Sequence, residues 1–141
     1  MKYVIVYWSR YGNGKKLVEH LAKILKKKRA ETQIFTTDEA NPAAMPPADL
    51  YVFSAPTEIH NLQKNMRSFM KHLKGMEGKK YGIINTYGLK RNWLFKMEKL
   101  LSKKNMAKVA EADFHVKNDV QGGNGLPTGW ETKIDEFAGK L

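Results

Sequence analysis

The chain contains no cysteine. This absence excludes a disulfide framework, a thiolate zinc site, an iron–sulfur cluster and catalysis by a cysteine nucleophile. The sequence also lacks any apolar run that approaches the ~18 residues of a membrane span, so no such span is expected. The strand-like run at residues 3–8 is followed by no cleavage-site pattern. We therefore expect a mature, cytoplasmic chain.

Acidic residues are scarce, because 14 Asp and Glu stand against 25 Lys and Arg and the net charge is +11. The excess is concentrated in residues 60–108, which hold thirteen basic and two acidic residues. A basic surface attracts an anionic partner such as nucleic acid, acidic lipid or an acidic protein, or it serves solubility alone. The four histidines show no metal-ligand spacing with carboxylates, and no metal site is expected.

The pattern of apolar residues indicates one α/β domain spanning residues 1–141. Strand-like runs lie at residues 3–8, 32–36, 50–53, 81–84 and 110–116, and helical stripes at 17–25, 62–73, 93–101 and 130–137. Pro42, Pro46 and Pro47 make the second helix short or missing. Alternating strands and helices predict a three-layer, doubly wound, five-stranded parallel sheet. The predicted strand order is 2-1-3-4-5, with a ligand site at the carboxyl ends of the strands.

The segment between the first strand and the first helix has the composition of a phosphate-binding loop. It does not fit the nucleotide P-loop, because Ser9 stands at the first Gly position and Lys16 replaces the magnesium-binding hydroxyl. The dinucleotide fingerprint fails too, since Leu17 stands at its third Gly position. A hydroxyl, two residues and then Gly-x-small at a helix N-terminus instead predict a cradle for a terminal phosphate. The predicted cradle comprises Ser9, Arg10, Tyr11, Gly12, Asn13, Gly14 and Lys15.

This loop resembles that of the flavodoxin family, which is usually Thr/Ser-x-Thr-Gly-x-Thr. Ser9, Gly12 and Asn13 match the family pattern, while Tyr11 and Gly14 stand in place of the later threonines. The segments after the third and fourth predicted strands look like the two flavin loops of the family, and the resemblance covers nearly the whole chain. These segments comprise Pro56, Thr57, Glu58, Ile59, His60 and Asn61, and then Thr86, Tyr87, Gly88, Leu89 and Lys90.

The resemblance implies a flavodoxin-like fold and FMN as the cofactor. Residues 9–14 would hold the 5′-phosphate, and residues 56–61 and 86–90 would flank the isoalloxazine. The family often has Gly in the first flavin loop, whereas this chain has none between Ala55 and Lys74. Tyr87 follows a strand end and is interpreted as a flavin contact. Trp8 and Trp93 adjoin apolar runs and are interpreted as core residues.

Three functions remain open at this point. The resemblance favours an FMN-binding electron-transfer protein that shuttles electrons between redox partners. One alternative is a flavodoxin-like FMN oxidoreductase that acts on a quinone or a similar acceptor. The other is a flavodoxin-like binding module without flavin.

The basic residues predict the partner. In the 2-1-3-4-5 order the helices after the third and fourth strands lie side by side, which would create a basic face that docks an acidic redox protein. This basic face comprises Lys64, Arg67, Lys71, Lys74, Lys96, Lys99, Lys103 and Lys104. No recognition-helix pattern or aromatic-basic interleaving points to nucleic acid. A monomer is expected.

Overall fold

A mainly parallel β-sheet forms the middle layer of the computed structural model, which describes residues 1–89, 91–117 and 120–141. The strands are β1 (Lys2–Tyr7), β2 (Glu31–Thr36), β3 (Leu50–Glu58), β4 (Asn61–Leu62), β5 (Lys80–Tyr87) and β6 (Ala107–His115). The helices are α1 (Asn13–Lys27), α2 (Lys64–Lys71), α3 (Leu94–Ser102) and α4 (Trp130–Gly139). Within the described ranges, no helix is long and apolar enough to cross a membrane.

The strand order is β2-β1-β3-β5-β6, and every pairing along this path is parallel. The two-residue β4 lies off the path and pairs antiparallel with the end of β3. With β4 set aside, this is the order 2-1-3-4-5, so the predicted doubly wound fold is confirmed. Residues 37–49, all of them described, contain no helix, as the proline cluster predicts.

The two faces of the sheet bury different residues, because successive side chains of a strand point to opposite sides. Val4 and Val6 of β1 lie in the core cluster under α2 and α3. Tyr3 and Ile5 of the same strand lie in the cluster under α1 and α4. The continuous apolar run of β1 therefore serves both cores, as expected for a strand covered on both sides.

The third strand is longer than its apolar run predicts. It continues past residue 53 to Glu58, so part of the expected first flavin loop is strand. Pro56 argues against a strand in the sequence, because proline cannot donate to a ladder. The pairing with β1 ends at Ser54, however, so Pro56 has no β1 neighbour that needs its missing N–H.

The packing of α4 on the sheet yields a stability prediction. A Cβ added to Gly82 of β5 would lie 2.9 Å from Cζ of the buried Phe137. We expect Gly82→Ala to lower the free energy of unfolding by about 1–3 kcal/mol, since overpacking shifts neighbouring side chains. Gly139→Ala is the matched control, because its added Cβ meets nothing within 4 Å. Urea unfolding measures both variants, and equal stabilities would contradict this account of the packing.

Candidate functional site

A cavity of about 610 Å³ opens at the carboxyl ends of the parallel strands. Three segments surround it, namely the loop after β1, the end of β3 with its turn, and the loop after β5. The volume falls in the range of small-molecule sites, and the position is where open α/β sheets bind their ligands.

Most of the site residues predicted from the sequence line this cavity. They are Ser9, Arg10, Tyr11, Asn13, Gly14, Pro56, Thr57, Glu58, Ile59, His60, Thr86, Gly88 and Leu89. Gly12 and Lys15 instead border an adjoining cavity, which shares Ser9, Arg10 and Tyr11 with the first. Asn61 pairs with Glu58 in the β3–β4 ladder. Lys90 lies outside the described residues, and the role of every residue toward a ligand stays a prediction.

Tyr87 does not lie where the sequence interpretation places it. Its ring packs on His115, with 5.2 Å between the ring centroids, and it does not line the cavity. The reason is the two-residue period of a strand, since the neighbouring Thr86 is the residue whose side of β5 faces the cavity.

Two tryptophans assigned to the core line the cavity instead, together with Arg91 and Val116. Trp8 and Trp93 are both half-buried. The Trp93 ring stacks near Phe95, at 4.8 Å between centroids, under the guanidinium of Arg91. The sequence feature that could have placed both at the cavity is their position in the chain. Trp8 directly follows the last residue of β1, and Trp93 directly precedes α3.

The first helix presents an open N-terminus to this region. Gly12 is its N-cap with φ +89°, and no side chain among the described residues caps it. The N–H of Lys16 donates to the carbonyl of Gly12 at 3.0 Å, which makes the first backbone bond of the helix. The preceding N–H groups of the first turn have no partner within the helix, and the helix dipole favours an anion at this end.

The loop around this helix end is held by the glycine-rich segment at residues 122–125. The N–H of Gly123 donates to the Tyr11 carbonyl at 2.9 Å, and the N–H of Gly125 donates to Oδ1 of Asn13 at 3.0 Å. A Cβ on Gly12 would lie 2.8 Å from the nitrogen of Gly123. Both this close contact and the positive φ therefore require glycine at position 12. The Asn13 side chain is used in a hydrogen bond that holds the loop.

Two hydroxyls converge beneath Gly14. A Cβ on Gly14 would lie 3.7 Å from Oγ of Ser9 and 3.7 Å from Oγ of Ser54. Ser9 Oγ accepts from the N–H of Gly12 at 3.1 Å, so its proton remains free to donate. Ser54 is fully buried, and its hydroxyl has no hydrogen-bond partner among the described residues. Ser54 does not line the cavity, whereas Ser9 does, and a free hydroxyl donor beside an uncapped helix end fits a phosphate.

An ion pair links the cradle to the first flanking segment. Nε of Arg10 donates to Oε2 of Glu58 at 2.6 Å, and Nη2 donates to Oε1 at 2.9 Å. The Arg10 guanidinium also lies 4.9 Å from the centre of the Trp8 ring. The hydrogen bonds that Arg10 donates to Glu58 raise the pKa of Arg10, so its guanidinium is charged at neutral pH. Glu58 therefore carries its charge into the cavity already paired.

The turn between β3 and β4 is strained. Glu58 and Asn61 pair across a two-residue loop, in which Ile59 has φ +50° and His60 has φ +57°. Such hairpins normally place Asn-Gly at these positions, and a β-branched residue at positive φ is an outlier. Ile59 is also 95% exposed, so no packing of its side chain compensates for the strain.

Comparison with known proteins gives structural matches only. No protein-family model matches the chain, and no curated protein matches it. The two-electron reduced flavodoxin of Megasphaera elsdenii is similar, with a TM-score of 0.77, 19% identity and 99% of each chain covered. A flavodoxin of Streptococcus pneumoniae is similar with a TM-score of 0.77 and 17% identity, covering 100% of this chain and 97% of its own.

A larger protein contains the same fold as one part. Rubredoxin:oxygen oxidoreductase of Desulfovibrio gigas is similar with a TM-score of 0.80 and 16% identity, covering 99% of this chain and 35% of the other. These likenesses show that the chain has a flavodoxin-like fold.

The strained turn generates a second stability prediction. We expect Ile59→Gly to raise the free energy of unfolding by up to about 1 kcal/mol, because glycine adopts the left-handed region without a Cβ clash. Ile59→Ala is the matched control, since it removes the same exposed side chain but keeps the Cβ. Urea unfolding compares the two variants, and an equal gain in both would show that exposure of the Ile59 side chain, rather than backbone strain, is what costs stability.

Proposed function

We propose that this chain binds FMN and carries electrons between redox proteins. One observation carries the proposal: a single cavity joins the uncapped N-terminus of α1 and the Ser9 hydroxyl to walls that include Trp8 and Trp93. FMN has a terminal phosphate for the first feature and a flat aromatic ring for the second. The fold shared with solved flavodoxins supports the same ligand.

Different residues of the cavity would bind the phosphate and the ring of FMN. The Ser9 hydroxyl and the N–H groups at the start of α1 would hold the phosphate. Trp8, Trp93 and the turn at Ile59 would face the ring, since all three line the same cavity. Bound FMN supplies one- and two-electron transfer.

The charges around the cavity suit a bound flavin that becomes reduced. Glu58 is the carboxylate that lines the cavity within the described residues, and it accepts two hydrogen bonds from Arg10. A paired carboxylate is a poor general base, and the pairing also reduces its repulsion toward a reduced, more negative flavin. Turnover of NAD(P)H with a quinone remains the test of the oxidoreductase alternative.

Binding of FMN and riboflavin tests this proposal. We expect the chain to quench FMN fluorescence with a Kd below about 1 μM. Ser9→Ala should raise the Kd for FMN by about ten- to a hundredfold, because a hydrogen bond to a charged group contributes about 1.5–3 kcal/mol. The Kd for riboflavin, which has no phosphate, should stay the same in this variant.

The control for Ser9 is Ser102→Ala, at an exposed position at the end of α3. Equal losses for FMN and riboflavin in Ser9→Ala would place the phosphate elsewhere. A wild-type chain that leaves FMN fluorescence unchanged would overturn the proposed function and favour the flavin-free binding module.

We further propose that the basic face docks an acidic redox protein. Helices α2 and α3 contact each other over one face of the sheet. Burial and the positive charges of Lys99, Lys71, Lys103 and Arg67 lower the pKa of Lys96. These side chains are therefore close enough to repel one another, and a negatively charged partner would relieve that repulsion.

Charge reversal on the basic face tests the docking. We expect a plant-type [2Fe–2S] ferredoxin, used as an acidic probe, to exchange electrons with the FMN-loaded chain at a rate that falls with salt. Reversal by Lys96→Glu with Lys99→Glu should slow the reaction at low salt about tenfold or more, since steering acts on the association rate. The matched control is Lys26→Glu with Lys27→Glu at the end of α1, on the opposite side of the sheet. Equal slowing in both double variants would rule out a dedicated face.

A further inference from the structure

A single buried side chain joins the two flanks of the cavity. Asn85 of β5 is fully buried, and its Nδ2 donates to the carbonyl of Ala55 at 2.9 Å. Its Oδ1 accepts from the backbone N–H of Trp93 at 2.9 Å and from Oγ1 of Thr57 at 3.1 Å. Thr57 belongs to β3 on one side of the cavity, and Trp93 precedes α3 on the other.

These contacts fix the orientation of the Asn85 amide. The backbone N–H of Trp93 can only donate, so the atom that faces it is the amide oxygen. The carbonyl of Ala55 can only accept, so the atom that faces it is the amide nitrogen. Both ends give the same orientation without reference to any ligand.

The orientation determines what Thr57 offers to the cavity. Because the Asn85 oxygen can only accept, the Thr57 hydroxyl must donate its single proton to it. Only the lone pairs of Thr57 Oγ1 are left for a ligand. A hydroxyl that could otherwise donate or accept is thereby restricted to accepting.

An asparagine at this position needs a reason, because it directly follows the buried Ile83 and Ile84 in β5. A buried amide costs free energy unless its polar atoms are bonded, whereas an apolar residue would continue the core. All three bonds of Asn85 go to residues of the strand end and loop that border the cavity. The arrangement indicates a role at the cavity rather than in the core.

We propose that Asn85 is a positioning residue that makes Thr57 Oγ1 a fixed hydrogen-bond acceptor in the cavity, and that bound flavin donates a ring N–H to this oxygen. This inference rests on the proposed binding of FMN. It assigns Thr57 an acceptor role toward the ring and gives Asn85 no direct contact with the ligand.

Paired substitutions at Thr57 test the acceptor. Thr57→Val keeps the shape of the side chain without the oxygen, and we expect its Kd for FMN to rise about tenfold, as for one lost hydrogen bond of about 1.4 kcal/mol. Thr57→Ser keeps the hydroxyl and should bind FMN within about twofold of wild type. Because the isoalloxazine ring is common to both ligands, riboflavin should show the same losses, unlike in Ser9→Ala. Thr32→Val is the matched control, since its hydroxyl bonds to Ala30 in the loop before β2.

Hydrogen exchange in the flavin-free chain tests the positioning role. The Trp93 amide should be protected in wild type and should exchange faster in Asn85→Ala, while the amides of β1 stay protected. If Asn85→Ala does not fold, protection of the Trp93 amide in wild type still tests the role of Asn85, and the Thr57 variants still test the acceptor.

The outcomes separate this inference from the proposed function. Unchanged FMN affinity in Thr57→Val, or an equal loss in Thr57→Ser, overturns the acceptor assignment while FMN binding stands. Fast exchange of the Trp93 amide in wild type overturns the role of Asn85. A wild-type chain that does not bind FMN overturns both proposals together.

Discussion

The site depends on the close approach of two glycines, Gly12 and Gly123. A side chain at Gly12 would meet the backbone of Gly123, whose N–H bonds to the carbonyl of Tyr11. This contact fixes the loop after β1 and leaves the first turn of α1 without a capping side chain. In many helices a capping side chain bonds the free N–H groups of the first turn. Where packing keeps that end uncapped, these N–H groups are available to a ligand. Lys15 and Lys16, which oppose the dipole in that first turn, are better tolerated when an anion is bound there.

The architecture could be predicted because it follows from local pattern. Apolar runs alternating with helical stripes imply a parallel sheet, and the prolines at residues 42–47 argue against a regular helix between β2 and β3. Strand ends then locate the ligand site without further information. The same rule would have assigned Trp8 to the cavity, but a tryptophan beside a buried run is equally well explained as core.

Other features of the site could not be predicted, since they are tertiary. The turn at Ile59 and His60 lacks the glycine by which such hairpins are recognised, so its sequence resembles an ordinary loop. The contacts of Asn85 join residues 28 and 30 positions earlier in the chain to one 8 positions later. The alternation of residues within a strand does not predict hydrogen bonds between segments so far apart in the chain. The position of Tyr87 outside the cavity lining could not be predicted either, because a strand end does not say which of two adjacent side chains faces the site.

The two flanks of the cavity are held with unequal strength. On the β5 side, Trp93 is bonded to Asn85, and the neighbouring Asn92 donates to Asp113 at 2.7 Å. Burial opposes the charge of Asp113, but hydrogen bonds from Lys133 and Asn92 lower its pKa overall, so this anchor is a carboxylate at neutral pH.

On the β3 side, Asn85 bonds to Ala55 and Thr57, but beyond Thr57 the tip of the hairpin is held by the two-residue β4 and by the partly exposed pair of Arg10 and Glu58. Its turn carries backbone strain of about 1–3 kcal/mol per residue in the left-handed region. An exposed ion pair contributes at most about 1 kcal/mol against that strain. Movement of this hairpin tip therefore costs less free energy than movement of the Trp93 side, and a ring entering the cavity would displace the turn at Ile59 before it displaced Trp93.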